Sequence, residues 1–174
     1  MGHKGAIMTR ILIAYASKHH STAEIAEKIG EILGRSGGRS VDIFPADTVT
    51  DVSVYDAVIL GSAVYMGQWQ PGAAAFLNKF EAELARRPTW LFSSGPTAEG
   101  DPVAALKGWR FPEALQPVAD RVHPRDIAVF GGRLNPSQLS LFERFISKIV
   151  KSPVGDFRDW TMIRSWATGI SQAV

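Results

Sequence analysis

Short segments that are apolar throughout alternate along the chain with segments of helical periodicity. Strands without alternating polar positions are typical of a sheet buried on both faces, and such sheets are parallel and covered by helices. The sequence therefore predicts an α/β fold with a doubly wound, five-stranded parallel sheet of order 2-1-3-4-5 and an extra helical segment after strand five. The predicted strands are 10–16, 41–44, 57–61, 89–93 and 126–131. The predicted helices are 21–33, 71–84, 137–151 and 161–170.

Length and composition indicate one globular domain. The chain has 174 residues, of which 45% are apolar and 21% are charged, so it is long enough for a proper core. We expect this domain at 9–174, preceded at 1–8 by a disordered or vector-derived segment. No apolar run is long enough to cross a bilayer, and the N-terminus lacks the apolar core of a signal peptide. We therefore expect a cytoplasmic protein.

Composition also excludes several kinds of site. The chain contains no cysteine, which excludes disulfides, thiolate nucleophiles and cysteine metal sites, so redox chemistry requires a bound cofactor. Only His19 and His20 are histidines close in sequence, and adjacent residues rarely bind one metal together, so we predict no metal site. The net charge of +2 and the pI of about 9.0, without a long Lys/Arg run, predict no nucleic-acid partner. A basic face toward an anionic ligand or a membrane surface stays open.

The loops after strands one, three and four are the candidate site. In a doubly wound sheet, ligands bind beyond the carboxyl ends of the strands, where the strand order reverses. The first loop, 17–22, reads SKHHST and precedes a predicted helix. Its backbone N–H groups, its hydroxyls and Lys18 suit a phosphate at the helix N-terminus. The alternative is a capped helix with a solvated loop, since Ser21 and Glu24 fit a capping box.

The second and third loops differ from the first in character. The second, 61–69, reads GSAVYMGQW. Its Tyr65 and Trp69 would stack on a flat aromatic ligand at the cleft mouth. The alternative is that they are core or lid residues. The third, 93–101, reads SSGPTAEGD, and its small residues let backbone approach a ligand, although a plain turn is the alternative. Together, the three loops suit a ligand with a phosphate tail and a flat ring, and FMN has that shape.

Competing sites lack their motifs. No G-x-G-x-x-G follows strand one, and no G-x-x-x-x-G-K-[ST] occurs in the chain. A phosphoacceptor receiver shares the sheet but needs carboxylates at the strand ends. Thr9-Arg10 precedes strand one here, and Gly61-Ser62 ends strand three. FMN is therefore the predicted cofactor.

Several stretches resemble a known family. ILIAYASKHHSTAEIAEKI, GSAVYMGQW and FSSGP resemble the three FMN loops of the flavodoxin superfamily. FGGRLNPSQLSLFERFISKIV at 130–150 and GDFRDWTMIRSWATGI at 155–170 resemble the flavodoxin-domain family that includes menaquinone-dependent protoporphyrinogen dehydrogenase. Members of that family carry an extra helical segment after strand five and then an aromatic-Arg-Asp-Trp stretch, which 157–160 match. The resemblance covers 10–170.

The resemblance implies a flavodoxin-like fold with FMN in the three loops. It implies no separate catalytic acid, base or nucleophile, because the flavin transfers the electrons itself. The family commonly has a glycine where this chain has His20, which implies either that His20 adopts a positive φ or that the loop follows a different path. The residues implied for the phosphate are Ser17, Lys18, His19, Ser21 and Thr22, and those for the isoalloxazine ring are Ala63, Val64, Tyr65, Met66 and Gly67 on one side and Ser94, Gly95, Pro96 and Thr97 on the other. We count His20 and Trp69, in the same loops, with the cofactor residues.

The helix predicted at 137–151 is amphipathic. Such a stripe packs on the domain core or on a second subunit, or it lies on an anionic membrane surface with its basic side toward the head groups. The resemblance implies substrate and membrane contact for this segment, which would place the protein peripherally at the inner face of the membrane. The stripe consists of Leu139, Phe142, Phe145, Ile146 and Ile149, with Arg144, Lys148 and Lys151 off it.

Arg158 is the candidate substrate contact outside the loops. Its guanidinium suits an anionic substrate group. The alternative is a surface ion pair with Asp159, which would contribute little stability. Trp160 is expected in the core.

Three functional hypotheses remain open from the sequence. The first is an FMN-dependent oxidoreductase, protoporphyrinogen dehydrogenase-like or quinone-linked, that passes electrons between a small molecule and an acceptor. The second is a flavodoxin-type electron carrier with a protein redox partner, although such carriers are usually acidic. The third is a flavin-free interaction protein, for which His20 is the main argument. A homodimer is an open possibility for each of them.

Overall fold

The computed structural model describes residues 8–149, 151 and 153–174. The prediction of a disordered or vector-derived segment at 1–8 therefore lies outside the described residues, except at Met8. The first strand begins at Thr9.

The central sheet has five long parallel strands. Their order is β2-β1-β3-β5-β6, which confirms the predicted order, and the short β4 pairs antiparallel with the end of β3. A second small sheet consists of the antiparallel pair β7 and β8. The strands are β1 Thr9–Ala16, β2 Arg39–Pro45, β3 Ala57–Tyr65, β4 Gln68–Trp69, β5 Thr89–Ser94, β6 Asp126–Phe130, β7 Arg133–Leu134 and β8 Gly155–Asp156.

The helices cover both faces of this sheet. The α-helices are α1 Ser21–Gly34, α2 Pro71–Lys79, α3 Glu81–Leu84, α4 Pro102–Ala105, α5 Gln116–Val122, α6 Leu141–Ile149 and α7 Trp160–Ala173. Short 3₁₀ turns lie at Ala46–Thr48, Glu113–Leu115 and Pro136–Gln138.

Three helical predictions differ from the structure. The helix expected at 71–84 is divided at Phe80, whose φ of −104° interrupts the helical geometry between α2 and α3. The helix expected at 137–151 begins at Leu141, because the residues before it form a 3₁₀ turn started by Pro136; residue 150 lies outside the described residues. The helices α4 and α5 were not predicted, since prolines interrupt the helical periodicity between β5 and β6.

Successive residues of the strands serve opposite faces of the sheet, which explains why the strands are apolar throughout. In β1, Ile11 and Ile13 pack toward α1 and α7, whereas Leu12 and Ala14 pack toward α2 and α5. All four are fully buried. A buried aliphatic side chain contributes about 1.5–3 kcal/mol, so both layers stabilise the central strand.

The chain leaves the sheet at β7 and returns beside it at β8, and we call the described residues from 133 to 156, namely 133–149, 151 and 153–156, the strap. Arg133 of β7 lies opposite Asp156 of β8, and α6 lies between these strands in the chain. Glycine permits the close packing at the base of the strap. A Cβ atom at Gly131 would lie 2.0 Å from the Phe157 carbonyl oxygen, and one at Gly132 would lie 2.8 Å from the Gly95 carbonyl oxygen. The base of the strap is therefore held against the loop after β5.

Candidate functional site

A cleft of about 370 Å³ opens at the carboxyl ends of β1, β3 and β5. The three predicted loops meet there because the strands are parallel and adjacent. The predicted residues that line it are Ser17, Lys18, His19, Ser21, Thr22, Ala63, Val64, Tyr65, Met66, Ser94, Gly95 and Thr97. The lining residues that were not predicted are Gln70, Gly132, Arg133, Leu134, Leu139, Glu143, Ile146 and Ser147.

The first loop presents unsatisfied donors to this cleft. The predicted capping box is absent, because Ser21 is already helical and the N-cap is His20, which makes no side-chain capping bond. The Oγ atoms of Ser17 and Ser21 are buried and have no hydrogen-bond partner among the described residues. Buried hydroxyls without partners are uncommon and call for a missing acceptor. At a helix N-terminus, an oxyanion is the acceptor that fits.

His20 adopts the left-handed conformation implied for it. Its φ is 63° and its ψ is −10°. This conformation favours glycine, and histidine is among the residues that adopt it at a cost of about 1 kcal/mol. The loop therefore keeps the backbone path of a glycine turn. His20 does not line the cleft, although it was counted with the cofactor residues; it lines a neighbouring hollow together with Asp47.

The second loop is a tight hairpin between β3 and β4. Met66 and Gly67 both have positive φ, 50° and 73°, as in a two-residue type I′ turn. The turn leaves Tyr65 and Met66 exposed at the cleft mouth, and the ammonium of Lys18 lies 4.9 Å from the centre of the Tyr65 ring. The aromatic wall and the cationic first loop are therefore in direct contact.

The third loop approaches the second closely at Gly95. A Cβ atom there would lie 3.1 Å from the Val64 side chain. Pro96, which was predicted for the ring site, does not line the cleft; its carbonyl oxygen accepts a hydrogen bond of 2.9 Å from the Gly132 N–H. The third loop thus connects the cleft floor to the base of the strap.

Trp69 lies in the core instead of at the cleft mouth. It is 5% exposed, and its indole N–H donates a hydrogen bond of 2.9 Å to Ser93 Oγ. The ring of Phe111 packs edge-on against it at 4.9 Å. The short β4 turns the indole inward, so it supports the cleft from below without lining it.

The strap covers one side of the cleft. Leu134, Leu139 and Ile146 of the strap line the cleft together with Val64, Tyr65 and Met66 of the second loop. Part of the predicted apolar stripe therefore faces the cleft. The sequence signal that could have placed Glu143 in the site is a capping box, Ser140-x-x-Glu143, at the true start of α6.

Glu143 brings a carboxylate to the first loop. Its Oε1 accepts from Lys18 Nζ and lies 3.2 Å from His19 Nε2, while its Oε2 accepts from the Ser140 N–H at 2.9 Å. The hydrogen bond from Lys18, together with the bond from the Ser140 backbone, lowers the pKa of Glu143 to about 2. The side chain is therefore a carboxylate at neutral pH, held against the ammonium of Lys18.

Arg158 does not line the cleft. It was predicted to contact an anionic substrate group, but its guanidinium binds carboxylates of the chain itself. It is 8% exposed and donates to both oxygens of Asp156, at 2.8 and 2.6 Å, and to Glu24. The predicted pair with Asp159 is absent as well, since Asp159 caps α7 by accepting from the Thr161 and Met162 N–H groups. The guanidinium lies 4.6 Å from the centre of the Trp160 ring, which packs against the core as expected.

Glu24 joins the strap to the first helix. Its carboxylate binds Arg158 and also Arg133, whose Nη1 lies 3.1 Å away. Burial raises the pKa of Glu24, but the hydrogen bonds and charges of the two arginines outweigh it, and the pKa is lowered. The start of α1 and both strands at the base of the strap thus share one ion-pair network.

The remaining apolar face of α6 is open to solvent. Phe142 and Phe145 are 69% and 61% exposed, and Leu141 and Ile149 are similarly exposed. These side chains do not pack on the domain core. Among the described residues, no helix is both long and apolar enough to cross a membrane. The same part of the chain contains no group of three or more His, Cys, Asp or Glu residues that could hold a metal ion.

Solved structures with the same fold include redox proteins of two kinds. Rubredoxin oxygen:oxidoreductase from Desulfovibrio gigas is 15% identical, with a TM-score of 0.61 over 96% of this chain and 37% of that one. The chain therefore spans little more than a third of that protein. The flavodoxin of Streptococcus pneumonia TIGR4 is 17% identical, with a TM-score of 0.58 over 95% of this chain and 100% of that one. At these identities the likeness concerns the fold.

No curated protein matches the chain. The family model for the flavodoxin domain matches residues 12–160, a range that includes all three loops and the whole strap. Flavodoxin domains bind FMN. The buried hydroxyls of Ser17 and Ser21 at the start of α1, which have no partner in the part of the chain that the structure describes, fit its phosphate. The architecture, the cleft and the extent of this match agree, and the chain belongs to the flavodoxin-domain family.

Proposed function

We propose that this chain is an FMN-dependent oxidoreductase that passes electrons between a small-molecule substrate and an acceptor, of the protoporphyrinogen dehydrogenase-like or quinone-linked type. The observation that carries the proposal is the strap across the cleft. Its apolar residues Leu134, Leu139 and Ile146 line the same cleft as Val64, Tyr65 and Met66 of the second loop. An apolar strap beside the cleft suits a flat, apolar substrate better than a protein partner.

The first loop would hold the cofactor phosphate. Ser17 and Ser21 have free hydroxyl donors there, and the N–H groups at the start of α1 add further donors. Lys18 supplies a positive charge. FMN, when bound, supplies the one- and two-electron chemistry, and the protein supplies position and polarity.

The walls of the cleft would hold the flavin ring and the substrate. Ala63, Val64 and Tyr65 form one wall, and Ser94, Gly95 and Thr97 form the other. A quinone or a porphyrinogen would bury its apolar faces between the ring site and the strap, where Leu139 and Ile146 exclude water.

A flavodoxin-type electron carrier with a protein redox partner is the second candidate. The observation that favours it is the likeness to the Streptococcus pneumonia flavodoxin over the whole of that chain. Tyr65 and Met66 are exposed at the cleft mouth, where a protein partner would approach. The flavin-free hypothesis loses its main argument, because His20 keeps the left-handed turn.

Peripheral membrane contact is part of the first proposal. The exposed side chains Leu141, Phe142, Phe145 and Ile149 form an apolar face on α6, with the basic residues Arg144 and Lys148 on the same helix. Such a helix suits the inner, anionic face of a membrane, from which a quinone would enter the cleft. A homodimer through this face is the competing arrangement.

The deciding experiment starts from the visible absorption spectrum of the purified protein and identification of any released chromophore. FMN in the protein, followed by rapid turnover with a quinone acceptor and no protein partner, would support the oxidoreductase. FMN without small-molecule turnover would favour the carrier. A colourless protein that also fails to bind added FMN would contradict both.

A further inference from the structure

The first loop already holds an anion that belongs to the chain itself. Glu143 reaches it from α6, 124 positions away from His19. Its Oε1 binds Lys18 and lies 3.2 Å from His19 Nε2, and its side chain is only 10% exposed. The carboxylate thus sits on Lys18, the cation expected to face the cofactor phosphate, and beside His19.

Two anions cannot share Lys18 without a penalty. Lys18 and Glu143 both line the cleft together with Ser17 and Ser21, whose hydroxyls lack partners. A phosphate on these hydroxyls would bring its charge close to that of Glu143 in a partly desolvated site, where like charges repel more strongly than in water. The Glu143 carboxylate and a bound phosphate would therefore compete for Lys18.

We propose that Glu143 is an internal competitor of the cofactor phosphate: it neutralises the first loop in the cofactor-free protein and gives way when the phosphate binds. This inference rests on the proposed function, because it assumes that the loop is the FMN phosphate site. It explains why a chain with an otherwise competent loop places a carboxylate there.

The structure allows Glu143 to withdraw. No residue of α6 belongs to the domain core, so the helix is held to the domain by few apolar contacts. The base of the strap is fixed independently by Arg133, Arg158 and their carboxylates. The middle of the strap can therefore move while both of its ends stay in place. Withdrawal would also free Lys18 to bind the phosphate.

The test compares FMN with riboflavin, which has the same ring and no phosphate. Glu143→Gln removes the charge and keeps an oxygen that can accept from the Ser140 N–H. Glu113→Gln, at an exposed site remote from the cleft, is the matched control for net charge. Dissociation constants are measured by flavin fluorescence, and thermal unfolding checks that each variant is folded.

We expect Glu143→Gln to bind FMN about tenfold more tightly than the wild type. This is the effect expected if Glu143 occupies the phosphate site in about nine-tenths of the cofactor-free wild-type molecules. Riboflavin affinity should stay the same, and Glu113→Gln should change neither. Equal FMN affinities in wild type and Glu143→Gln, or weaker binding by the variant, would overturn the inference and leave the proposed function standing. Failure of both proteins to bind FMN would overturn the two together.

A second measurement needs no variant. Hydrogen exchange of the α6 amides is compared in the wild type with FMN and with riboflavin, each at saturation. Displacement of Glu143 by the phosphate predicts exchange about tenfold faster with FMN. Equal or slower exchange with FMN would contradict the proposal even if Glu143→Gln failed to fold.

Discussion

Arg158 binds the carboxylate of Glu24 across 134 positions of the sequence, and the same guanidinium holds Asp156 at the end of the strap. Arg158 Nη1 also donates to the Ser21 carbonyl oxygen at 3.3 Å. One buried cation therefore fixes the start of α1, where the unpartnered hydroxyls lie, relative to the segment that covers the cleft.

Removal of this cation should cost substantial stability. We expect Arg158→Ala to lower the free energy of unfolding by about 2–3 kcal/mol, because it leaves Asp156 without its hydrogen-bond donor and Glu24 with Arg133 alone; the partial exposure of both carboxylates keeps the loss below that of a fully buried pair. Urea denaturation measures it. Arg35→Ala, which breaks the exposed Arg35–Glu31 pair, is the control and should cost less than about 0.5 kcal/mol. Similar losses in the two variants would contradict the structural role of Arg158.

Trp69 should matter for stability and not for the colour of the bound flavin. Trp69→Phe removes the hydrogen bond to Ser93 and part of the contact with Phe111, and should lower the free energy of unfolding by about 1–2 kcal/mol. The visible spectrum and affinity of bound FMN should stay unchanged. A marked shift in the visible spectrum of bound FMN would indicate that Trp69 contacts the flavin ring.

The turn at His20 should tolerate glycine better than alanine. His20→Gly relieves the left-handed conformation and should change the free energy of unfolding by no more than about 1 kcal/mol, with the relief partly offset by the greater entropy of the unfolded chain. His20→Ala keeps the strain and should be the less stable of the two. Thermal unfolding of both variants measures the order, and the reverse order would contradict the observed φ.

Acid should abolish the contribution of the Glu143 contact. A carboxyl whose native pKa, about 2, lies below its value in the unfolded chain stabilises the fold above the unfolded pKa of about 4.5, and this contribution is lost as the pH falls toward 2. The stability difference between wild type and Glu143→Gln should therefore shrink between pH 4.5 and pH 2. Denaturation at several pH values measures it. A difference that grows on acidification would exclude the ionised contact.

The exposed face of α6 should be dispensable for folding. We expect Phe142→Ser and Phe145→Ser to change the free energy of unfolding by less than about 0.5 kcal/mol each, because both rings are largely exposed. Sedimentation with anionic vesicles should show weaker binding by the double variant, with Val54→Ser, another exposed apolar position, as the control. Unchanged vesicle binding by the double variant would contradict the proposed membrane contact through α6.

The sheet and the three loops could be predicted because their signals are local. Ile11, Leu12 and Ile13 are consecutive and apolar, which is enough to indicate a strand buried on both faces. The parallel order then brings the loops together. Trp69 could not be placed from sequence, because an aromatic residue at a strand end packs inward or outward according to the hairpin that follows.

The partners of the charged residues could not be predicted for a different reason. Arg158 binds Glu24, and Glu143 binds Lys18, through contacts that only the folded chain creates. The neighbouring Asp159 was the obvious partner of Arg158, but it caps a helix instead. Sequence patterns indicate which residues are charged, whereas the strap's path decides which charges meet.

Because Arg133 lies opposite Asp156, the two ends of the strap are neighbours, as in an insertion that begins and ends at one point of the fold. The chain leaves the domain and re-enters it at neighbouring positions, so the parallel sheet does not depend on what lies between them. Insertions at such a point add little loop-closure entropy, since this grows only slowly with length. A family built on this sheet can therefore acquire, lengthen or lose a cover over its cleft in one evolutionary step, with no change to the scaffold that carries the cofactor loops.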